Sequence, residues 1–196
     1  AATGVAKTLA KTPSRIVRPS PASTSFVSKS EYSSCCQTRC ASGTPAARRP
    51  SANPCTSDGP WVPDRLGEQR SREGAYVWRQ LLDSGAVIVN GTDAPVEKVN
   101  PFHVLFASVT RQSRDGKPAA GWYPEEKMTR EEALRSYTLW AAYAAFEENI
   151  KGSIREGKLA DFIVIDRDYM RCPDSEIKDI RVLQTILGGK VVFRGE

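Results

Sequence analysis

The sequence predicts an α/β fold that follows a low-complexity N-terminal segment. Two stretches place apolar side chains at helical spacing, and the first leads at once into a short apolar run rich in β-branched residues. A helix that feeds a buried strand is typical of α/β architecture. A sharp change in composition near residue 57 separates this patterned part from the segment before it.

Residues 1–56 are predicted to be a disordered leader. Ser, Thr, Ala, Pro and Arg dominate the leader, and a segment with few large apolar side chains cannot offset the entropy lost on ordering. Its Arg- and Ser-rich, acid-poor composition is also typical of an organelle transit peptide. A third alternative is sequence foreign to the ancestral fold, produced by a truncated or frame-shifted reading.

The positive net charge belongs to this leader. Residues 1–57 hold eight basic residues and one acidic residue, which leaves 20 basic and 22 acidic residues in 58–196. Because the patterned part is slightly acidic and has no basic stripe with interleaved aromatics, we expect no nucleic-acid partner. No apolar run approaches the roughly 20 residues that cross a bilayer, so we expect a cytoplasmic protein without a membrane partner.

The first predicted helix covers residues 71–84. Its apolar stripe ends in a glycine at a C-cap position, Gly85, and the apolar run 86–89 that follows is too short for a helix, which predicts a buried strand. The stripe consists of Ala75, Trp78, Leu81 and Leu82.

One aspartate, Asp93, stands just beyond the C-terminal end of this strand. In an α/β barrel, that end of the strands carries the catalytic residues, although a carboxylate after a strand is also a common turn former. Asn100 and Pro101 then supply the N-cap and first residue of a short helix through residue 109. Asp93 is therefore the candidate catalytic residue.

The second amphipathic helix is predicted to begin at Thr129, with Glu132 completing a capping box. Its expected apolar face consists of Ala133, Leu134, Tyr137, Ala141 and Ala144. Strands are predicted over 159–165, 182–187 and 190–193. The last two strands are joined by two glycines in a hairpin, so the chain is predicted to close in a small β element.

Several motifs follow one another along the patterned part. They are TSDGPWVPDRLG (56–67), GTDAPVEKVNP (91–101), GWYPEEKMTREEALRSYT (121–138), AAYAAFEE (141–148), KGSIREGKLADFIVID (151–166) and GGKVVF (188–193). Together they resemble the C-terminal part of amidohydrolase family 3, the group that includes N-substituted formamide deformylases. The resemblance extends over residues 57–196.

The resemblance implies a distorted TIM barrel with a small β-sandwich domain assembled from both chain ends. This chain would hold an incomplete C-terminal portion of the barrel over 57–150 and C-terminal strands of the β-sandwich over 151–196. In the family, one or two divalent metals, usually zinc, activate a water that attacks a C–N carbon of a small-molecule amide. Asp93 corresponds to the family's barrel-terminal aspartate, which binds the metal and moves the proton of the water.

The chain departs from the family in its histidines. The family supplies several metal-binding histidines, whereas this sequence contains one, His103, at a helix position that is usually apolar. Cys55 and one carboxylate would fall short of the three protein ligands of a catalytic zinc. We therefore expect an inactive fragment whose parent hydrolyses non-peptide C–N bonds.

Other side chains allow two interpretations. Arg111, Trp122 and Tyr123 either line a substrate entrance or pack as loop anchors. The acidic pairs at 125–126 and 131–132 are expected to form a solvated helix entrance.

A function of another class is also open. The alternative to a hydrolase is a non-catalytic interaction or self-associating protein that uses an exposed apolar surface derived from the barrel. That surface consists of Trp78, Leu82, Val87 and Val89.

Overall fold

The computed structural model describes residues 38–40, 61–92, 94–95 and 97–195. Apart from one short strand, the predicted leader lies outside these residues, and so do Cys55 and Asp93. The described chain mixes helices and strands, as the α/β prediction requires. The helices are α1 (Val62–Leu66), α2 (Glu68–Gly74), α3 (Trp78–Asp83), α4 (Pro101–Thr110), α5 (Arg130–Tyr137) and α6 (Leu139–Ala144). The strands are β1 (Thr38–Cys40), β2 (Ala86–Ile88), β3 (Phe162–Ile165), β4 (Val182–Leu187) and β5 (Lys190–Arg194).

The predicted helix over 71–84 is wrong in its continuity, because the chain breaks between α2 and α3. Tyr76, in the break, has a left-handed backbone with φ of 57°, and its carbonyl accepts a hydrogen bond from Nη1 of Arg111 at 3.2 Å. Gly85 follows α3 with φ of 83°, and β2 begins directly after it, as predicted. The local signals at the end of the helix were therefore correct, whereas its middle is set by a distant residue.

Helix α4 begins as the sequence predicts. The Asn100 side chain accepts a hydrogen bond from the backbone N–H of Phe102 at 3.0 Å, and Pro101 occupies the first turn. The helix ends at Arg111, whose backbone is left-handed with φ of 59°. Between these ends α4 runs through the hydrophobic core, where all its residues from Val104 onward are buried.

Helix α5 has the predicted capping box, in which Thr129 and Glu132 bond each other's backbone N–H groups. The helix is shorter than predicted, because Thr138 leaves the helical backbone and α6 starts anew. Ala133 is fully buried, but Leu134 is 38% exposed and Ser136 is buried instead. The predicted apolar face is therefore wrong at Leu134.

The core lies between α3, β2, α4, α5 and a 3-10 helix, Asp174–Asp179. Trp78 is fully buried in it, which corrects the expectation that this side chain belongs to an exposed apolar surface. Leu82, Val87 and Val89 are half-buried. The core residues are Trp78, Ile88, Phe102, Leu105, Phe106, Val109, Met128, Ala133, Tyr169, Ile177 and Ile180.

The two sheets of the described chain are small. Strand β1 pairs antiparallel with β2, and Thr38 lies opposite Ile88. The other sheet is antiparallel in the order β3-β4-β5. The predicted hairpin is confirmed, since Gly188 and Gly189 join β4 to β5 with φ of 57° and 78°.

Candidate functional site

The strand that leads to Asp93 is held in place at its end. Asn90 is buried, and its Nδ2 donates to Oγ of Ser108 in α4 at 3.1 Å. The backbone N–H of Asn90 donates to the carbonyl of Ser136 at the end of α5 at 3.3 Å. The chain is thus fixed to two helices three residues before Asp93, which itself lies outside the described residues.

Arg111 is a packing residue and does not line a substrate entrance. Its side chain is fully buried. Its Nε donates to the carbonyl of Trp122 at 2.9 Å, and its Nη1 donates to that of Tyr76. The guanidinium carbon lies 4.6 Å from the ring centre of Trp78 and 5.1 Å from that of Trp122, distances at which cation–π attraction is favourable.

Tyr123 also acts as an anchor. It is 7% exposed, and its hydroxyl donates to Oε1 of Glu68 at 3.2 Å. Burial raises the pKa of Tyr123, and the carboxylate of Glu68 raises it further. The guanidinium of Arg72 lies 4.7 Å from the centre of its ring. Of the three side chains proposed for the entrance, the half-buried Trp122 is the most exposed.

Three non-glycine residues with left-handed backbones are Arg111 itself and two residues at or next to the carbonyls that its guanidinium contacts. Tyr76, Arg111 and Tyr123 have φ of 57°, 59° and 47°. Such conformations are costly for side chains other than Gly, Asn and Asp. The hydrogen bonds of the Arg111 guanidinium to the carbonyls of Tyr76 and Trp122 hold two of these turns in place.

The expectation of a solvated acidic entrance is wrong for Glu126. This side chain is 3% exposed, and its Oε2 accepts hydrogen bonds from the backbone N–H groups of Arg79 at 2.8 Å and Gln80 at 3.3 Å. These N–H groups lie in the first turn of α3, where a negative charge is stabilised by the helix dipole. Glu126 is therefore a long-range cap, which no local pattern signals.

Glu132 forms a bidentate ion pair with Arg79. Both of its carboxylate oxygens accept from Arg79, at 3.0 and 2.5 Å. The hydrogen bond from Arg79 is the main cause that lowers the pKa of Glu132 to about 2, and the bonds within the capping box add to it. Both Glu126 and Glu132 are thus committed to structure.

His103 lies on α4 and is half-buried. Burial lowers its pKa, and the nearby charges of Arg114 and Lys98 lower it further, while Asp179 and Glu97 oppose them. Its Nδ1 is buried without a hydrogen-bond partner in the described part of the chain. The lowered pKa fits a packed helix residue, and no group of three metal ligands in the described residues includes His103.

A shallow depression of about 480 Å³ lies beside β2, between α3 and α5. Leu82, Val87 and Trp140 supply its apolar side, and Arg79 and Arg135 are among its charged residues. Both arginines are paired with glutamates of α5. The depression is therefore open, and both of its arginines already have acidic partners within the chain.

The described residues do not form a metal site. Within residues 61–92, 94–95 and 97–195, no three His, Cys, Asp or Glu side chains come together as metal ligands do. Asp93 and Cys55 lie outside these ranges, so the predicted ligands are not tested. The same described residues include no helix with the length and apolar character of a membrane span.

A profile of the amidohydrolase family matches residues 43–193. The chain therefore belongs to the amidohydrolase family, which confirms the family that its motifs predicted.

Known relatives share this part of the sequence. The chain is 31% identical over 137 residues to YtcJ of Bacillus subtilis, a match that covers 70% of this chain and 26% of that protein. It is 32% identical over 123 residues to the N-substituted formamide deformylase of Arthrobacter pascens, covering 63% of this chain and 22% of the relative.

A solved structure, that of an uncharacterized metal-dependent hydrolase from Pyrococcus furiosus, matches 59% of this chain and 22% of its own, with 31% identity and a TM-score of 0.49. The chain thus spans about a quarter of the length of the curated relatives it matches.

Proposed function

We propose that residues 57–196 form the C-terminal portion of an amidohydrolase that cleaves non-peptide C–N bonds. Its substrates are small-molecule amides, such as N-substituted formamides. The relative named as an N-substituted formamide deformylase supports this substrate class. In this proposal 57–150 belong to a TIM barrel, 151–196 to the small β-sandwich domain, and the protein works in the cytoplasm.

Asp93 is the proposed catalytic and metal-binding residue. It follows β2 after a short segment in which Asn90 is bonded to Ser108 and to the end of α5. Catalysis requires a fixed position for such a carboxylate, and the bonds of Asn90 fix the chain three residues before it. An ionised carboxylate there accepts a proton from an attacking water.

We further propose that the 196 residues alone do not hydrolyse amides. One observation carries this proposal: the whole sequence contains one histidine. A catalytic zinc, the metal expected for the family, needs three protein ligands. The other ligands would come from further parts of an amidohydrolase.

The first test uses the purified chain incubated with zinc and then freed of unbound metal. We expect no stoichiometric zinc by atomic emission and no formate released from an N-benzylformamide. Asp93→Asn should behave identically. One zinc per chain, with formate release that Asp93→Asn abolishes, would show that this chain is active alone.

The second test asks whether Asp93 works in a complete barrel. In a chimera, the aligned residues of this chain replace their counterparts in the Arthrobacter pascens deformylase. We expect formamide hydrolysis that falls by at least about 100-fold on Asp93→Asn, because removal of a proton acceptor costs this much or more. Glu97→Gln, which removes a nearby carboxylate, is the matched control. A folded chimera in which both variants retain equal activity would contradict the role of Asp93.

A further inference from the structure

The sheet β3-β4-β5 exposes many apolar side chains. Ile163 is 45% exposed, Phe193 51% and Leu187 58%. Residues opposite one another in neighbouring strands share a face, so the pairs Phe162 with Ile186 and Thr185 with Phe193 place apolar groups on both faces. Contiguous apolar surface of this kind marks a site of interaction.

Within the described residues, both outer strands of this sheet have an edge that no other strand occupies. Strand β4 lies between β3 and β5, and in the described chain no further strand pairs with either outer one. The outward N–H and C=O groups of an edge strand are a template for pairing with another strand. The apolar residues therefore lie beside backbone groups that can extend the sheet.

The two edges carry opposite charges. Strand β5 begins with Lys190 and ends with Arg194, and in the described residues neither forms an ion pair. Strand β3 is preceded by Asp161 and followed by Asp166. No acid lies within β5 and no base within β3.

Asp166 and Asp161 differ in how many of their carboxylate oxygens already accept hydrogen bonds within the chain. Asp166 is engaged within the chain, because it accepts from Arg167 at 3.0 Å and from the backbone N–H of Arg181 at 3.0 Å. Asp161 uses Oδ1 to accept from the backbone N–H of Gly188 at 2.7 Å, and a carboxylate has a second oxygen to offer. Asp161 is thus the main acid that a cation beside β3 would meet.

These charges select one way of joining two edges. Antiparallel pairing of β5 with another β5 places Lys190 near Arg194, and like charges opposite one another destabilise a sheet. Antiparallel pairing of β3 with another β3 places Asp161 near Asp166, and neither strand brings a cation of its own. Pairing of β5 with β3 places one cation beside Asp161 in either direction, Lys190 when the strands are parallel and Arg194 when they are antiparallel.

We propose that β5 of one copy of this chain pairs with β3 of a second copy, so that their sheets become continuous. The contact joins two different surfaces, so each added copy presents a new free edge and assembly does not stop at a dimer. This association replaces the surface expected around Trp78, which is buried. It requires no hydrolytic activity.

Sedimentation velocity over a concentration series of the full chain tests the proposal. We expect the mean mass to rise past that of a dimer without a plateau. In the double variant Lys190→Glu, Arg194→Glu, an acid would lie beside Asp161. The protein concentration at which half of the chains are associated should therefore rise at least about tenfold. Arg70→Glu with Lys117→Glu, exposed and outside the sheet, makes the same charge change and should associate like the unmodified chain.

A charge exchange supplies the rescue. Adding Asp161→Lys to the Lys190→Glu, Arg194→Glu variant makes the edges complementary again, so association should return. Far-ultraviolet circular dichroism of each variant verifies that the sheet remains folded. The proposal is overturned if the unmodified chain stays monomeric, if its mass stops at a dimer, or if the reversed pair associates like its control.

Salt separates edge pairing from the stacking of apolar faces. Raising the salt from about 0.05 M to about 0.5 M screens exposed charges, so we expect weaker association. Stacking through apolar faces alone would not weaken, and sulfate would strengthen it. Association that grows with sodium sulfate and does not respond to sodium chloride would overturn the pairing of edges.

Discussion

Helix α4 and strand β5 are both apolar, but they have opposite surroundings. Helix α4 buries eight of its ten residues, whereas every residue of β5 is exposed. Neighbours explain the difference, since α4 packs against α5 and the 3-10 helix Asp174–Asp179 in the core, whereas in the described chain β4 is the one strand beside β5. An apolar sequence indicates that an element is stabilised by burial, but the neighbouring elements determine whether it is buried.

The same substitution in the two regions gives the largest expected contrast. Phe106 in α4 is 1% exposed and Phe193 in β5 is 51% exposed. We expect Phe106→Ala to lower the free energy of unfolding by about 3–5 kcal/mol, because it leaves a cavity in the core. Phe193→Ala should lower it by less than about 1 kcal/mol. Urea unfolding measures both, and equal losses would contradict the described burial.

A second comparison uses a buried and an exposed arginine, and its expected change in the free energy of unfolding is smaller. Arg111→Lys removes the planar group that bonds the carbonyls of Tyr76 and Trp122, and a lysine cannot bond both while stacking on the tryptophans. We expect a loss of about 2–3 kcal/mol in the free energy of unfolding, since buried acceptors are left without donors. Arg194→Lys in β5 is the matched control, expected within about 0.5 kcal/mol of the unmodified chain.

The smallest predicted effect concerns pH. The pKa of Glu132 is lowered in the folded chain from its ordinary 4.5 to about 2. Its ionised form therefore stabilises the fold fully above pH 4.5, and this stability is lost as the pH falls toward 2. We expect about 1–2 kcal/mol after allowance for solvent screening.

A matched pair of variants isolates the stability that the ionised Glu132 contributes. Glu132→Gln should be less stable at pH 7 by this amount, with the difference shrinking between pH 4.5 and 2. Glu131→Gln, which alters an exposed pair with Arg135, should change stability by less than about 0.5 kcal/mol at any pH. Chemical unfolding at a series of pH values measures both. A Glu132→Gln difference that does not vary with pH would contradict the lowered pKa.

Local signals predicted much of the fold. The cap at Asn100, the box of Thr129 and Glu132, and the glycine hairpin between β4 and β5 each depend on residues a few positions apart, and each is confirmed. The family was also predictable, because six motifs in order are more specific than any one of them.

Contacts between distant residues account for what the sequence did not reveal. The break at Tyr76 depends on Arg111, which lies 35 residues away. The burial of Glu126 depends on α3, and the burial of Trp78 depends on the helices packed around it. The interpretation of Asp93 as catalytic stays a prediction, since that residue lies outside the described chain.

The carboxylate of Glu126 has a consequence for the order in which the protein can form during synthesis. It caps α3 from 47 residues further along the chain, and a helix of six residues is marginal without such support. At about 5–20 residues per second, a ribosome needs roughly 2–10 seconds to make that distance. During this interval α3 forms only transiently. The whole segment from Trp78 to Glu126 has to be synthesised before α3 can be capped and pack stably in the core.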